Sequence, residues 1–356
     1  RPSAGRRHKV RHVLSAIIVG VAWACSSTVH TPSSQAHQRS EAWASRCGML
    51  AYRASSRDLQ HIDDVAADSF GYVYALDSRL KRISAFDQRG RLSQCVGGPG
   101  RNRGEYALPS AIATTSRGDL LVIDPRARRL TAYRRIDTLS LDAVYPLAYD
   151  AWDLCTLSDR IFVLGLSGGL LVHEYRRVGD SLRIIAEFAA PFSDHPVLKR
   201  TLSKGHLACV PSSGTVLLAP PVLPEIRAYD TLGTILWRAR LPGYISPSFQ
   251  ANGARGVTMR ARSAFLPQYH LTLSTMALAG DTAAMTVGLV RRDAETGSFR
   301  VFSAETRLLS ARTGQQLGSA GCGLTFGAAW RGRVFGYANE PEPLVAAVYE
   351  AMLTAP

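Results

Sequence analysis

Apolar residues along this chain come in short runs separated by turns rich in glycine and aspartate, and one such arrangement occurs twice. Asp64 to Phe86 aligns without a gap with Ala111 to Tyr133, 47 residues later. Ala66, Ser69, Gly71, Asp77, Arg79, Arg82 and Ala85 recur as Ala113, Ser116, Gly118, Asp124, Arg126, Arg129 and Ala132. Self-similarity at a fixed period marks stacked or radial repeats. Each copy predicts a short apolar strand, a turn at Gly71 or Gly118, a second strand, and a third strand after a polar turn. Tyr72 to Leu76 and Leu120 to Ile123 are continuous apolar runs, as in strands covered on both faces. Arg82 to Phe86 and Arg129 to Tyr133 alternate better, as expected of third strands further from an axis. Leu92 to Val96 supplies a fourth strand before the glycine-rich link Gly97 to Gly104. Four strands per unit of about 45 residues is the arithmetic of a β-propeller.

Weaker copies continue along the chain, and their second strands are Ile161 to Leu164, Val216 to Ala219, Thr282 to Val287 and Val334 to Tyr337. With the first two they make six units. The fold class is therefore all-β, a six-bladed propeller of four-stranded antiparallel blades spanning 47–356. The fourth unit keeps its third strand in register at Ile226 to Tyr229 but has Pro220 where the first two have Asp77 and Asp124. Two longer connections, Leu139 to Leu154 and Tyr244 to Tyr269, are expected to be loops that carry specificity, since rigid scaffolds place function on loops.

The repeated pattern of apolar-Ala, turn Gly, apolar run, Asp and Arg, followed by Gly97-Gly98-Pro99-Gly100-Arg101-Asn102-Arg103-Gly104-Glu105-Tyr106, resembles NHL repeats of six-bladed propellers from bacterial secreted proteins and lipoproteins. The ending, Gly336 to Pro343 followed by Leu344 to Tyr349, is similar to theirs as well. The resemblance implies a rigid platform. It also implies two enzymatic precedents, since NHL-type propellers include metal-using amidating lyases and related six-bladed folds include calcium-dependent lactonases.

Arg1, Arg6, Arg7, Lys9 and Arg11 precede an apolar stretch from Val13 to Ala24, which predicts a signal peptide over 1–24. Ala22-Trp23-Ala24-Cys25 is similar to a bacterial lipobox, so Cys25 is a candidate lipidation site. The Ser-, Thr- and Gln-rich segment that follows reads as a tether over 25–46. These features predict export to the periplasm or cell surface, with an outer-membrane lipoprotein as one form. The six cysteines, Cys25, Cys47, Cys95, Cys155, Cys209 and Cys322, are compatible with an oxidising compartment. Cys155 and Cys209 fall at nearly equivalent positions of adjacent inner strands. They read first as buried core thiols, with a bridge stapling two blades as the alternative. Cys47 is placed to pair with Cys322 or Cys95 if the N-terminal segment adds an outer strand to the last blade.

The formal charge is +14, and five of those positive residues precede Cys25. A basic surface of that size suits anionic lipids or acidic glycans. No nucleic-acid motif is present, and nucleic acid is excluded as a partner of an exported chain. No Gly-x-Ser-x-Gly elbow, phosphate loop or HExxH occurs, which leaves nucleophilic, nucleotide and zinc-protease chemistry without a motif.

Loops entering the inner strands share one face with those joining second to third strands. His61, His206 and His270 enter units on that face, with Asp63 and Asp64 beside the first, and are candidate ligands for a divalent metal such as calcium or zinc. Asp77, Arg79, Asp124 and Arg126, on the second-to-third turns, and Arg255 and Arg260, in the longer connection, are candidate ligand-binding residues. The recurring Asp has a plainer role as a turn residue accepting backbone hydrogen bonds. From sequence the chain is therefore expected to be a membrane-tethered binding module for an envelope protein, peptide or glycan, without a cofactor, rather than an enzyme. The alternative is a metal-dependent lactonase or lyase with its site at the channel mouth.

Overall fold

The computed structural model describes residues 50–52, 59–261, 267–293, 296–339 and 343–354. The expected signal peptide, the tether, Cys25 and Cys47 lie outside the described residues. No helix among those described is long and apolar enough to cross a membrane.

Six four-stranded antiparallel sheets follow one another along the chain, as the repeat predicts. The first blade holds β2 (Asp64–Ala67), β3 (Val73–Asp77), β4 (Arg82–Phe86) and β5 (Leu92–Gly97). The second holds β6 (Ala111–Thr114), β7 (Leu120–Asp124), β8 (Arg129–Arg135) and β9 (Leu139–Pro146), and the third β10 (Ala151–Leu157), β11 (Arg160–Ser167), β12 (Leu170–Val178) and β13 (Ser181–Phe188). The fourth holds β14 (His206–Val210), β15 (Thr215–Ala219), β16 (Glu225–Tyr229) and β17 (Ile235–Arg240). After a hairpin of β18 (Ser248–Ala251) and β19 (Val257–Arg260) comes the fifth blade, β20 (Gln268–Ala277), β21 (Thr282–Arg292), β22 (Phe299–Ser310) and β23 (Gln316–Ala320). The sixth is β24 (Thr325–Trp330), β25 (Arg333–Ala338) and β26 (Leu344–Tyr349), and its outer strand is β1 (Leu50–Tyr52), paired antiparallel to β26. The ring is thus closed by the first of the described strands, which covers an edge that would otherwise be free to pair with another chain.

The second strands are buried along their whole length in β3, β7 and β15, as continuous apolar runs require. The expected alternation of the third strands is not found. β4 and β8 are buried almost throughout, and alternation first appears one strand further out, in β5. Large residues such as Phe86 and Tyr133 fill the widening gap between blades, so the sandwich extends to the third strand. Leu139 to Leu154 is not a loop either. It is β9 and the beginning of β10, whose buried Leu139, Tyr145 and Ala151 pack between blades.

Asp77 and Asp124 close the same turn in successive blades. Asp77 accepts the amides of Gln60 and His61 on one oxygen, at 2.6 and 3.1 Å, and those of Arg79 and Leu80 on the other, at 2.9 and 2.8 Å. Asp124 accepts from Ala107, Leu108 and Ala127. Both are fully buried. The repeated aspartate therefore knots each second-to-third turn to the segment entering its own blade. Because both are sealed from any ligand by full burial, with their oxygens held by three or four backbone amides, neither is a ligand-binding residue, and that part of the sequence expectation is corrected.

A segment of the fifth blade and its surroundings rises above this frame. The helix Pro196–Leu202, the β18–β19 hairpin and the ends of β20 to β22 share a small apolar cluster around Leu202, Val222, Tyr269 and Val290. His195 Nε2 and the carbonyl of Gly253, 3.0 Å apart, link the helix to the hairpin tip. This raised wall stands on the face where chains enter the inner strands.

Candidate active site at the channel mouth

The inner strands of the six blades line an axial cavity of about 200 Å³. Most of its wall is alanine, glycine, serine, cysteine and threonine, because six strands converging on one axis favour small side chains. Charged groups gather at one end, where β2, β10 and β14 begin: Asp63, Asp64, Asp153 and His206, with Ser110 and Trp152 between them.

Asp64 and Asp153 occupy equivalent places, each just before the apolar pair of an inner strand. Each caps its own strand and hooks the next blade. Asp64 accepts from Val65 N at 2.8 Å and from Ile112 N at 2.9 Å; Asp153 accepts from Leu154 N and from Leu207 N, both at 2.8 Å. Gly327 completes the fit on the other side, since a Cβ there would lie 2.8 Å from the Val65 carbonyl and 3.2 Å from Asp64 Oδ1.

The two carboxylates face the same narrow space. Burial pushes the Asp64 carboxyl well above the usual carboxylate range, and the negative charge of Asp153 adds to that, while the amides of Ile112 and Val65 pull the other way. Asp63 is raised as well, again chiefly by burial, with His61 opposing. Tyr337 donates to the Asp63 carbonyl at 2.7 Å, and burial followed by the charges of Asp64, Asp63 and Asp153 raises its phenol. Two carboxyl groups that face one narrow space, with Asp64 raised by burial, offer a basis for acid–base chemistry there.

His206 lies against this pair. Its Nδ1 is 3.5 Å from Asp153 Oδ2, and its Nε2 is 3.2 Å from the carbonyl of Thr272. A carbonyl only accepts, so Nε2 donates to it, which leaves Nδ1 facing Asp153. Just outside, Lys204 Nζ sits 4.1 Å from the centroid of the Trp152 ring, and burial lowers the lysine below its ordinary value.

Its fold resembles that of a virginiamycin B lyase. The solved structure of that enzyme from Staphylococcus aureus matches with a TM-score of 0.50 at 10% identity, covering 84% of this chain and 98% of that one. A member of the DUF4221 family from Bacteroides vulgatus matches with a TM-score of 0.55 at 9% identity, over 85% of this chain and 96% of that one. No protein-family model matches the chain, and no curated protein matches it in sequence. The expectation that the chain is not an enzyme is corrected here: its architecture is shared with a catalytic lyase, so a propeller fold gives no ground for preferring passive binding.

The three histidines proposed as metal ligands do not come together. His61 is 3.7 Å from Asp63 and its backbone is held by Asp77. His270 accepts the amide of Ile245 on Nδ1 at 2.7 Å and stacks at 5.2 Å on Tyr244, which fixes the raised wall to β20; burial, then Arg307, lowers its basicity. Only His206 lines the cavity. Among the described residues no group of three or more His, Cys, Asp or Glu is arranged to hold a metal ion. These donors do not fit the divalent metal of the sequence alternative, and no step is routed through one.

Arg79, Arg126, Arg255 and Arg260 are exposed on the mouth face or its wall. Asp153, Trp152 and Lys204 were not legible as site residues. The signal for Asp153 was present, an aspartate immediately before an inner strand as at Asp64, but it stands in a faint copy of the repeat.

Proposed function

We propose that this protein is an exported enzyme that works by acid–base chemistry at the channel mouth, either eliminating across a C–O bond as a lyase or opening a lactone. The observation that carries the reading is that Asp64 and Asp153, at equivalent places in two inner strands, line the same end of the axial cavity, with His206 Nδ1 3.5 Å from Asp153 Oδ2. Asp64 is the acid that protonates the departing oxygen. Asp153 is the base, and His206 is a positioning residue held beside it. General acid–base catalysis of this kind contributes about 10²- to 10⁴-fold. The shared architecture with a lyase supports the choice of reaction.

Export rests on the signal-like segment over 1–24, and Cys25 would tether the protein through lipid. The Cys155–Cys209 bridge supports an oxidising compartment. The repeat pattern of the first two blades supports placing the chain beside NHL-type propellers.

His206→Ala tests the assignment through kcat and KM on a panel of γ-lactones and cyclic esters. Loss of the positioning ring lowers kcat by about 10²-fold, the low end of what one such group contributes, with KM little changed. An unchanged kcat would assign His206 to structure and leave Asp153 without its partner.

A further inference from the structure

The cleft between the first two blades is plugged on the face away from the channel mouth. Tyr72 and Tyr74, at the start of β3, fill it. The Tyr74 hydroxyl donates to Asp68 at 2.6 Å and accepts from Arg135 Nε at 2.7 Å, and the Arg135 guanidinium lies 3.8 Å from the centroid of the Tyr72 ring. Phe70 lies across the turn of the next blade, where a Cβ at Gly118 would come within 2.7 Å of its ring. In the aligned second copy, Asp68, Phe70, Tyr72 and Tyr74 are replaced by Thr115, Arg117, Asp119 and Leu121. The arginine is kept: Arg177 follows Tyr175 as Arg135 follows Tyr133, and the two tyrosines bond the hydroxyls of Tyr149 and Tyr106 in the same way. Between the second and third blades the rings are therefore missing, and their place is a cavity of about 540 Å³, more than twice the volume of the axial one.

We propose that this cleft binds a neutral phenolic compound of two rings, which takes the place of the tyrosines that the first blade supplies to itself. The floor is apolar, made by Leu121, Ala132, Ile161 and the ring of Tyr145. Tyr145 stands where the first blade has Val96, since Leu130 pairs with it as Ile83 pairs with Val96. It is 5% exposed, it lines the cavity, and its hydroxyl has no hydrogen-bond partner among the described residues. Burial raises its phenol, Arg177 opposes that, and Asp142, Asp180 and Asp119 add to it, so the hydroxyl lies toward the charged opening. A buried hydroxyl left unpaired calls for a partner. The opening carries Arg117 and Arg177 together with Asp119 and Asp159, and Asp142 beside it holds both Arg134 and Arg177. With both signs present, neither an anion nor a cation is selected. An apolar floor with a few placed polar groups, in a volume of this order, is the usual make-up of a small-molecule site. One ring of the ligand stacks on Arg177 as Tyr72 does on Arg135, and a phenolic hydroxyl meets Tyr145 and the carboxyl of Asp119 as Tyr74 meets Asp68. The cleft shares no lining residue with the axial cavity, so its occupancy is independent of the acid–base reading.

Equilibrium dialysis of the purified protein against bisphenol A, hydrogenated bisphenol A and the dimethyl ether of bisphenol A tests this. Bisphenol A is expected to bind saturably. The hydrogenated compound keeps both hydroxyls but no aromatic ring, the ether keeps the rings but no hydroxyl hydrogen, and each is expected to bind roughly tenfold more weakly. Asp119→Tyr combined with Leu121→Tyr rebuilds the plug of the first blade and is expected to abolish binding without lowering the melting temperature. Tyr145→Phe removes one hydroxyl and is expected to weaken binding about fivefold, the worth of one hydrogen bond. Asp153→Asn, at the channel mouth, leaves the affinity unchanged. No saturable binding of bisphenol A, equal binding of the hydrogenated compound, or wild-type affinity in the refilled variant would overturn the site. Should the refilled variant fail to fold, wild-type affinity in Tyr145→Phe would overturn it instead, as would loss of binding in Asp153→Asn.

Discussion

Reducing the Cys155–Cys209 bridge lowers the stability of the propeller by about 4 kcal/mol, the chain-entropy cost of releasing a loop of this length. The two half-cystines are 54 residues apart in sequence, with Cα atoms 5.5 Å apart, and join the inner strands β10 and β14 of neighbouring blades. The bridge lies in an apolar cluster with Phe162, Leu164, Leu207 and Val216, so opening it leaves two buried thiols in a site that tolerates them chemically. The loss is therefore mainly of the cross-link, not of packing. For a domain of this size the melting temperature falls by roughly 6 °C. Thermal unfolding with and without reductant, repeated on Cys155→Ala with Cys209→Ala, checks this. Equal melting temperatures would return the pair to the core-thiol reading. Cys322 is disulfide-bonded and Cys95 is free, so Cys95 does not serve as the expected partner of Cys47, which lies outside the described residues.

Asp64→Asn slows turnover by about 10²- to 10⁴-fold, the usual contribution of a positioned acid. The same variant changes how stability depends on pH. The folded carboxyl is raised well above 3.8, mainly by burial, so between that value and its folded pKa the native state holds a proton that the unfolded chain has released. Stability contributed by this proton is present at low pH and is lost as pH rises through the folded pKa. Asparagine does not titrate, so the part of the slope due to Asp64 disappears, while Asp63, raised for the same reason, keeps its own. Urea unfolding over a series of pH values reads the difference. A variant that retains the full wild-type slope, or full turnover, would contradict the role given to Asp64.

The blades were legible because the same physical constraint recurs in each: a strand sandwiched between neighbours must be apolar on both faces, and its turn needs Gly71 or an anchoring Asp77. The closure by β1 was legible only as a condition, an outer strand that the N-terminal segment would add to the last blade if Cys47 pairs there. The site was not. His61, His206 and His270 look alike in sequence, yet of the three only His206 enters the cavity, because it opens β14 at the axis, while His61 precedes β2 and His270 lies on the extended start of β20. Asp77 and Asp124 attracted notice by recurring, and recurrence marked structure; Asp153 did not visibly recur and became the catalytic candidate. Trp152 and Lys204 meet only through the fold, since they come from different blades' approaches to the axis.

The carboxyl ¹³C NMR titration of Asp64, in the wild type and in Asp153→Asn, tests the coupled pair most directly. The acid–base account predicts an Asp64 titration well above the ordinary carboxylate range that moves down when the charge at residue 153 is removed. An ordinary titration in both proteins would mean that no proton is held at the channel mouth, and the catalytic reading would fall with it.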